Sequence, residues 1–174
     1  MYEHSYPSKR YQETLAFIKQ HRKPCSILDL GVRNPFSEIL EKEGYQVTNT
    51  KGEDLDLNRS EILKSNTSIT TAFEIFEHLL SPFEVARAIQ SEYLFASVPL
   101  RLWFASAYRN PKDLRDQHFH EFEDWQFDWL LEKAGWEIID RKKFTNPVQK
   151  LGLRPILRSF TPRYYLVFCK RKME

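Results

Sequence analysis

The 174-residue chain carries 26 basic and 24 acidic side chains, and a formal net charge of +2 gives little support for a nucleic-acid partner. With 41% hydrophobic and 29% charged residues, it has the composition of a globular chain that buries a core without disulfide or metal staples. A polar start, no apolar run approaching eighteen residues and two distant cysteines, Cys25 and Cys169, argue against secretion, membrane spanning and a disulfide frame. A reducing cytoplasm is the expected compartment.

Ser8 can cap a first helix, with Tyr11, Leu15 and Ile18 at helical spacing until His21-Arg22-Lys23-Pro24 stops it. The apolar run Ser26-Ile27-Leu28-Asp29-Leu30-Gly31 predicts a buried parallel strand. Asn34-Pro35 opens a helix as cap and first helical residue; Phe36, Ile39 and Leu40 mark its face and Gly44 closes it. Residues 45–50 predict a second strand, 54–57 a very short third, 61–64 a helical turn and 70–76 a fourth strand. Ser81-Pro82 begins another helix with Phe83, Val85, Ala86 and Ile89 apolar, and residues 93–98 form a fifth strand ended by Pro99.

Residues 100–120 lack clean periodicity. Residues 121–134 predict an amphipathic helix with Phe122, Trp125, Trp129 and Leu130 near one face, closed by Gly135. Residues 136–144 and 163–169 are the last strands, joined by a loop containing Pro147, Pro155 and Pro162. The expected organisation is a single domain over 1–174, with an N-terminal helix in 1–23, a core in 24–144, and a basic loop and last strand in 145–174. Alternating strands and helices imply an α/β fold, a mostly parallel sheet with helices on both faces.

Three ordered motifs carry a family resemblance. They are Ile27-Leu28-Asp29-Leu30-Gly31; Glu74-Ile75-Phe76-Glu77-His78-Leu79 followed by Pro82; and His120-Glu121-Phe122 leading to Leu130-Leu131-Glu132-Lys133-Ala134-Gly135-Trp136-Glu137. In this order the chain resembles the class I S-adenosylmethionine-dependent methyltransferases, particularly their small bacterial branch. The resemblance implies a Rossmann-like, seven-stranded sheet whose antiparallel last strand forms a hairpin with the sixth. It implies S-adenosylmethionine as cofactor, with Asp29, Gly31, Arg33, Asn49, Asp54 and Glu77 as cofactor contacts.

The glycine loop departs from the family pattern. Where the family shows Gly-x-Gly-x-Gly, this chain has Gly31-Val32-Arg33-Asn34-Pro35, keeping one glycine of those that let backbone approach a cofactor. Arg33 either swings outward or pairs with the cofactor's carboxylate, or it fills the pocket and abolishes binding. At the end of the second strand, where such folds place a ribose-binding acid, Asn49 and Thr50 are neutral, and Glu53 reaches only if its loop curls back. Asp54, ahead of Asp56, fits the acidic position near the adenine.

Glu77 and His78 follow the fourth strand, where ligands bind in open parallel sheets. Methyl transfer needs alignment, exclusion of water and, for some acceptors, a base; His78 and His120 are the catalytic candidates. Asp116, His118, His120 and Glu121 make a polar cluster without a third ligand at recognisable spacing, so no metal is expected. Leu102, Trp103, Phe104 and Tyr108 belong to a lid-like segment that suggests a small or lipid-like acceptor, a homodimer contact or peripheral membrane docking. The basic run Arg141, Lys142, Lys143, Lys150, Arg154, Arg158, Arg163, Lys170, Arg171 and Lys172 is a second candidate surface, for anionic partners. The alternative to an enzyme is a binding or regulatory domain that keeps the fold without the cofactor.

Overall fold

The computed structural model describes residues 8–113, 116–145 and 153–172. Its elements are α1 (Ser8–His21), β1 (Ser26–Asp29), α2 (Pro35–Lys42), β2 (Gln46–Asn49), α3 (Ser60–Lys64), β3 (Ile69–Phe73), α4 (Pro82–Ala88), β4 (Tyr93–Pro99), α5 (Asp124–Lys133), β5 (Trp136–Phe144), α6 (Leu153–Phe160) and β6 (Tyr164–Arg171). A 3-10 turn, Phe76–His78, follows β3. The sheet order is β2-β1-β3-β4-β6-β5. Strands β1 to β4 pair in parallel, whereas β6 runs antiparallel between β4 and β5. The last two strands thus form the expected hairpin.

Period-2 alternation along the central strands sends successive side chains to opposite faces. Leu28, Leu94 and Val167 join Ile62, Val85 and Phe127 in the core on one face. Ile27, Phe95 and Leu166 join Phe17, Ile18, Phe36 and Leu40 on the other. Asn34 caps α2 as expected: its side chain accepts from the Phe36 and Ser37 backbone N–H groups at 2.9 and 3.3 Å, and Ser37 Oγ accepts from Asn34 N–H.

Three expectations change. The sheet has six described strands rather than seven, because residues 54–57 form a turn. Asp54 Oδ1 accepts from the Asp56 backbone N–H at 2.9 Å, and the Asp54 carbonyl takes those of Leu57 and Asn58. This local satisfaction of backbone donors removes the demand for a strand partner. The Asp56 carboxylate accepts from the Leu80 and Ser81 backbone N–H groups at 2.8 Å, tying this turn to the start of α4.

The buried stripe of α5 is Phe127 and Leu131, continued by Ala134, while Trp125 and Trp129 are 56% and 58% exposed. The stripe is rotated from the expected one because Phe122 packs before the helix begins, so it does not set the helical phase. Finally, α6 stands where a proline-containing loop was expected. Pro155 falls in its first turn, where a missing N–H removes no intrahelical bond. Pro147 and Lys150 lie outside the described residues, as does the Arg154 side chain. No helix among the described residues is long and apolar enough to cross a membrane.

Candidate functional site

A cavity of about 870 Å³ opens beyond the carboxyl ends of β1, β3 and β4, within the ~300–1,000 Å³ range of small-molecule sites. Its floor is the turn after β1 and the turn after β3. Residues of α1, the segment 102–109, and Arg163 and Tyr164 at the start of β6 complete the wall.

The turn after β1 is organised by Asp29. Its Oδ1 accepts from Thr71 Oγ1 at 2.6 Å; its Oδ2 accepts from Asn49 Nδ2 at 2.9 Å, Ser37 Oγ at 3.3 Å and Asn34 Nδ2 at 3.4 Å. Strands β1, β2 and β3 and the start of α2 therefore meet at one carboxyl. Burial pushes that carboxyl up to about 6, and the four donors oppose the shift without cancelling it. Gly31 has φ +119°, and its N–H donates to Thr50 Oγ1 at 2.7 Å. A Cβ there would meet Ile75 only at 3.6 Å, so backbone conformation rather than space requires the glycine.

Of the altered residues of the glycine loop, Val32 and Asn34 line the cavity whereas Arg33 does not. Arg33 swings outward and makes a two-pronged pair with Glu41, Nη1 to Oε1 at 2.7 Å and Nη2 to Oε2 at 2.5 Å, away from the cavity. Of its outcomes, obstruction is not what the structure shows. Arg33→Ala is therefore expected to leave ligand affinity unchanged in calorimetric titration; a gain or loss would return the arginine to the site. Val32 instead leans on the loop after β2, where a Cβ on Gly52 (φ +81°) would sit 2.7 Å from Val32 Cγ1.

Neither Asn49 nor Asp54 lines the cavity. Asn49 is turned inward to Asp29, and Asp54 is spent on its own turn. Glu53 does curl back. Its Oε2 accepts from Lys51 N–H at 2.7 Å, and its Oε1 is buried without a hydrogen-bond partner. Glu53 is the acid on the loop after β2, but like Asn49 and Asp54 it is not among the residues lining the cavity.

The turn after β3 holds Glu74 at φ +57°, a strained conformation for a residue with a side chain. Glu74 accepts from Ser97 Oγ at 2.8 Å and lies 3.5 Å from the Arg10 guanidinium. The Glu77 side chain is 1% exposed, and its Oε2 has no hydrogen-bond partner. Burial first, then the Glu74 charge, pushes the Glu77 carboxyl well above the ordinary range. Its backbone carbonyl accepts from Phe119 N–H at 2.8 Å and His120 N–H at 3.2 Å, which docks the 117–121 loop onto the turn.

That docking brings His118, rather than His120, into the cavity beside His78. The two rings lie 5.0 Å apart, edge to face. His78 Nδ1–H donates to the Gln117 carbonyl at 2.9 Å, and His78 Nε2 is 3.7 Å from Glu77 Oε1. His118 Nδ1–H donates to Glu121 Oε1 at 3.0 Å, and burial pulls its pKa down. One ligand-capable atom from each of Glu77, His78 and His118 lies within 4.8 Å of the other two. His120 stacks on Phe122 at 5.5 Å, with its Nε2 buried outside the cavity. The sequence offered His118 only within the polar cluster of Asp116, His120 and Glu121; its pairing with His78 joins residues forty apart, which no spacing shows.

The lid-like segment does cover the cavity, through Leu102 and 105–109, but Trp103 points outward and is 72% exposed. In the basic stretch, Arg141 pairs with Asp128 at 2.8 Å, Lys142 with Glu13 at 2.7 Å, and Lys143 with Asp124. Arg171 lies over the Trp136 ring, 4.0 Å from its centroid.

No family model matches the sequence, and no curated protein matches it. Solved structures do match in fold. A SAM-dependent methyltransferase from Archaeoglobus fulgidus aligns at TM-score 0.66 with 14% identity, over 96% of this chain and 95% of that one. A methyltransferase from Mesorhizobium loti aligns at 0.63 with 13% identity, over 97% and 99%. The [4+2]-cyclase SpnF aligns at 0.61 with 11% identity, over 99% and 84%. The chain has the class I SAM-dependent methyltransferase fold, and identities this low show the fold alone.

Proposed function

We propose that the chain binds S-adenosylmethionine and transfers its methyl group to a small polar acceptor. The observation that carries this reading is the cavity beyond the carboxyl ends of β1, β3 and β4, floored by the Asp29–Gly31 turn. Glu53 Oε1, a buried acceptor without a partner on the loop after β2, lies outside the cavity lining and would have to turn inward to reach ribose hydroxyls. The other contacts fit the same cofactor. The Asp29–Gly31 turn offers backbone at the floor, and Glu74 and Arg10 offer opposite charges for a zwitterionic amino-acid end. When bound, the cofactor supplies an electrophilic methyl group for in-line displacement.

The chain's own residues position and shield. Leu102 and residues 105–109 line one side of the cavity, where closure over a bound ligand would exclude water and strengthen the charge interactions beneath. Arg10 and Arg163 favour an acceptor carrying a negative or strongly polar group, the polar side of a small or lipid-like acceptor. His78 and His118 both donate Nδ1–H away, so each leaves Nε2 to receive a proton the acceptor sheds.

Calorimetric titration with S-adenosylhomocysteine tests the reading. Saturable binding is expected, weakened roughly tenfold by Glu53→Gln, the effect of losing one hydrogen bond to a charged acceptor. No binding at millimolar ligand would overturn it. That result would promote the second reading, a binding or regulatory domain without cofactor. Val32 resting on Gly52 and the Gly31 N–H spent on Thr50 favour that alternative. The fold does not decide between them, since it also houses a cyclase.

A further inference from the structure

We propose that Glu77, His78 and His118 bind a divalent transition-metal ion in the cavity. Two imidazoles and one carboxylate are a donor set suited to Zn²⁺, Co²⁺, Mn²⁺ or Fe²⁺. One donor atom from each residue lies within 4.8 Å of the others. A shell with ~2.1 Å bonds places ligand atoms at most about 4.2 Å apart, so only a small inward movement is needed.

Two further observations point to a cation. The first is the fully buried Glu77 carboxylate, whose Oε2 has no partner. A buried carboxylate oxygen without a hydrogen bond is costly even with the Arg163 and Arg10 charges nearby, and a cation between it and the imidazoles removes that cost. The second is the set of groups behind the histidines. Ligand histidines characteristically donate their other ring N–H to a carbonyl or carboxylate, which fixes tautomer and orientation. Here His78 Nδ1–H goes to the Gln117 carbonyl at 2.9 Å and His118 Nδ1–H to the Glu121 carboxylate at 3.0 Å. Each ring therefore keeps its Nε2 lone pair.

The loop that delivers His118 is itself tied to the Glu77 carbonyl by two backbone N–H groups. The ligands on 77–78 and on 118 are thus held together by the fold before any ion arrives. Three protein ligands leave coordination positions for oxygens of a bound molecule. Only in this last respect does the inference rest on the proposed methyl transfer: with the ion bound, both Nε2 lone pairs would be ligands rather than bases, and an acceptor hydroxyl on the ion would have its pKa lowered and lose its proton to solvent.

The test uses the full chain stripped with EDTA. Co²⁺ titration followed by visible absorption is expected to saturate at one ion per chain, with Zn²⁺ displacing it. Zn²⁺ at about 100-fold above its Kd is expected to raise Tm by roughly 5–10 °C. His118→Ala and Glu77→Gln should each abolish the Co²⁺ signal, and Glu121→Gln should weaken affinity about tenfold. Absence of a saturable Co²⁺ signal overturns the proposal, as does wild-type affinity in His118→Ala. If Glu77→Gln does not fold, His118→Ala decides alone. S-adenosylhomocysteine titrated in EDTA separates the two readings, since its failure to bind sinks the cofactor reading alone and a missing Co²⁺ signal sinks the metal site alone.

Discussion

Replacing Trp136 by alanine is expected to lower the free energy of unfolding by about 3–5 kcal/mol, a large part of the ~5–15 kcal/mol that holds a domain folded. Trp136 opens β5 and is fully buried between the sheet and α4. Its Nε1–H donates to the Ala86 carbonyl at 3.0 Å. Ala86 lies in the last turn of α4, where carbonyls have no intrahelical donor, so the indole satisfies a helix end as well as filling space. Arg171 covers the ring and donates to the Ala134 and Ile89 carbonyls, which ties β6 to the ends of α5 and α4. Trp136→Phe keeps most of the volume but orphans the Ala86 carbonyl, and should cost about 1–3 kcal/mol. Urea denaturation of the three proteins checks both values; a Trp136→Ala cost below 1 kcal/mol would contradict the packing described.

Between pH 4 and about 6.5 the chain is expected to lose stability relative to its Asp29→Asn variant. Burial raises the Asp29 carboxyl in the folded chain from 3.8 to about 6. The folded chain therefore holds this proton more tightly than the unfolded one. The resulting stabilisation is complete below pH about 4 and is lost as the pH rises through about 6. Some two pKa units correspond to about 3 kcal/mol. Comparing the two proteins cancels titrations they share, including that of Glu77. Urea midpoints measured from pH 4 to 7 should converge or cross as the wild-type chain falls, and parallel curves would show that Asp29 keeps an ordinary pKa. At neutral pH the Asp29 charge is retained at a cost, in exchange for a carboxylate that gathers Thr71, Asn49, Ser37 and Asn34 around the turn under the cavity.

The order of strands and helices was legible because it rests on short-range physics. The apolar run ending at Asp29, the Asn34-Pro35 cap and the glycine stops after α2 and α5 each specify their element locally. The misread elements were those in which a local rule met a competing one. At 54–57 the apolar-acidic alternation lost to an Asp54 side chain that bonds its own backbone. In α5 two tryptophans suggested a buried face, yet Trp125 Nε1 donates to Glu123 and Lys133 lies near the Trp129 ring at the surface. Proline at 155 suggested a loop, although a first helical turn tolerates it.

The site divides along the same line. By itself the sequence determined the succession of most strands and helices along the chain, the two turns that floor the cavity, and the adjacency of Glu77 and His78, since all depend on residues near one another in the chain. Only the tertiary structure decided the altered glycine loop and the third member of the acid–histidine cluster. Arg33 leaves the cavity because Glu41, two turns along α2, offers a geometry that a local reading of the loop does not reveal. His118 replaces His120 because two backbone bonds to the Glu77 carbonyl set the register of a segment without periodicity of its own. A strand or helix is chosen by neighbours in sequence, whereas the direction of a side chain on a loop is chosen by whatever partner the fold brings within reach.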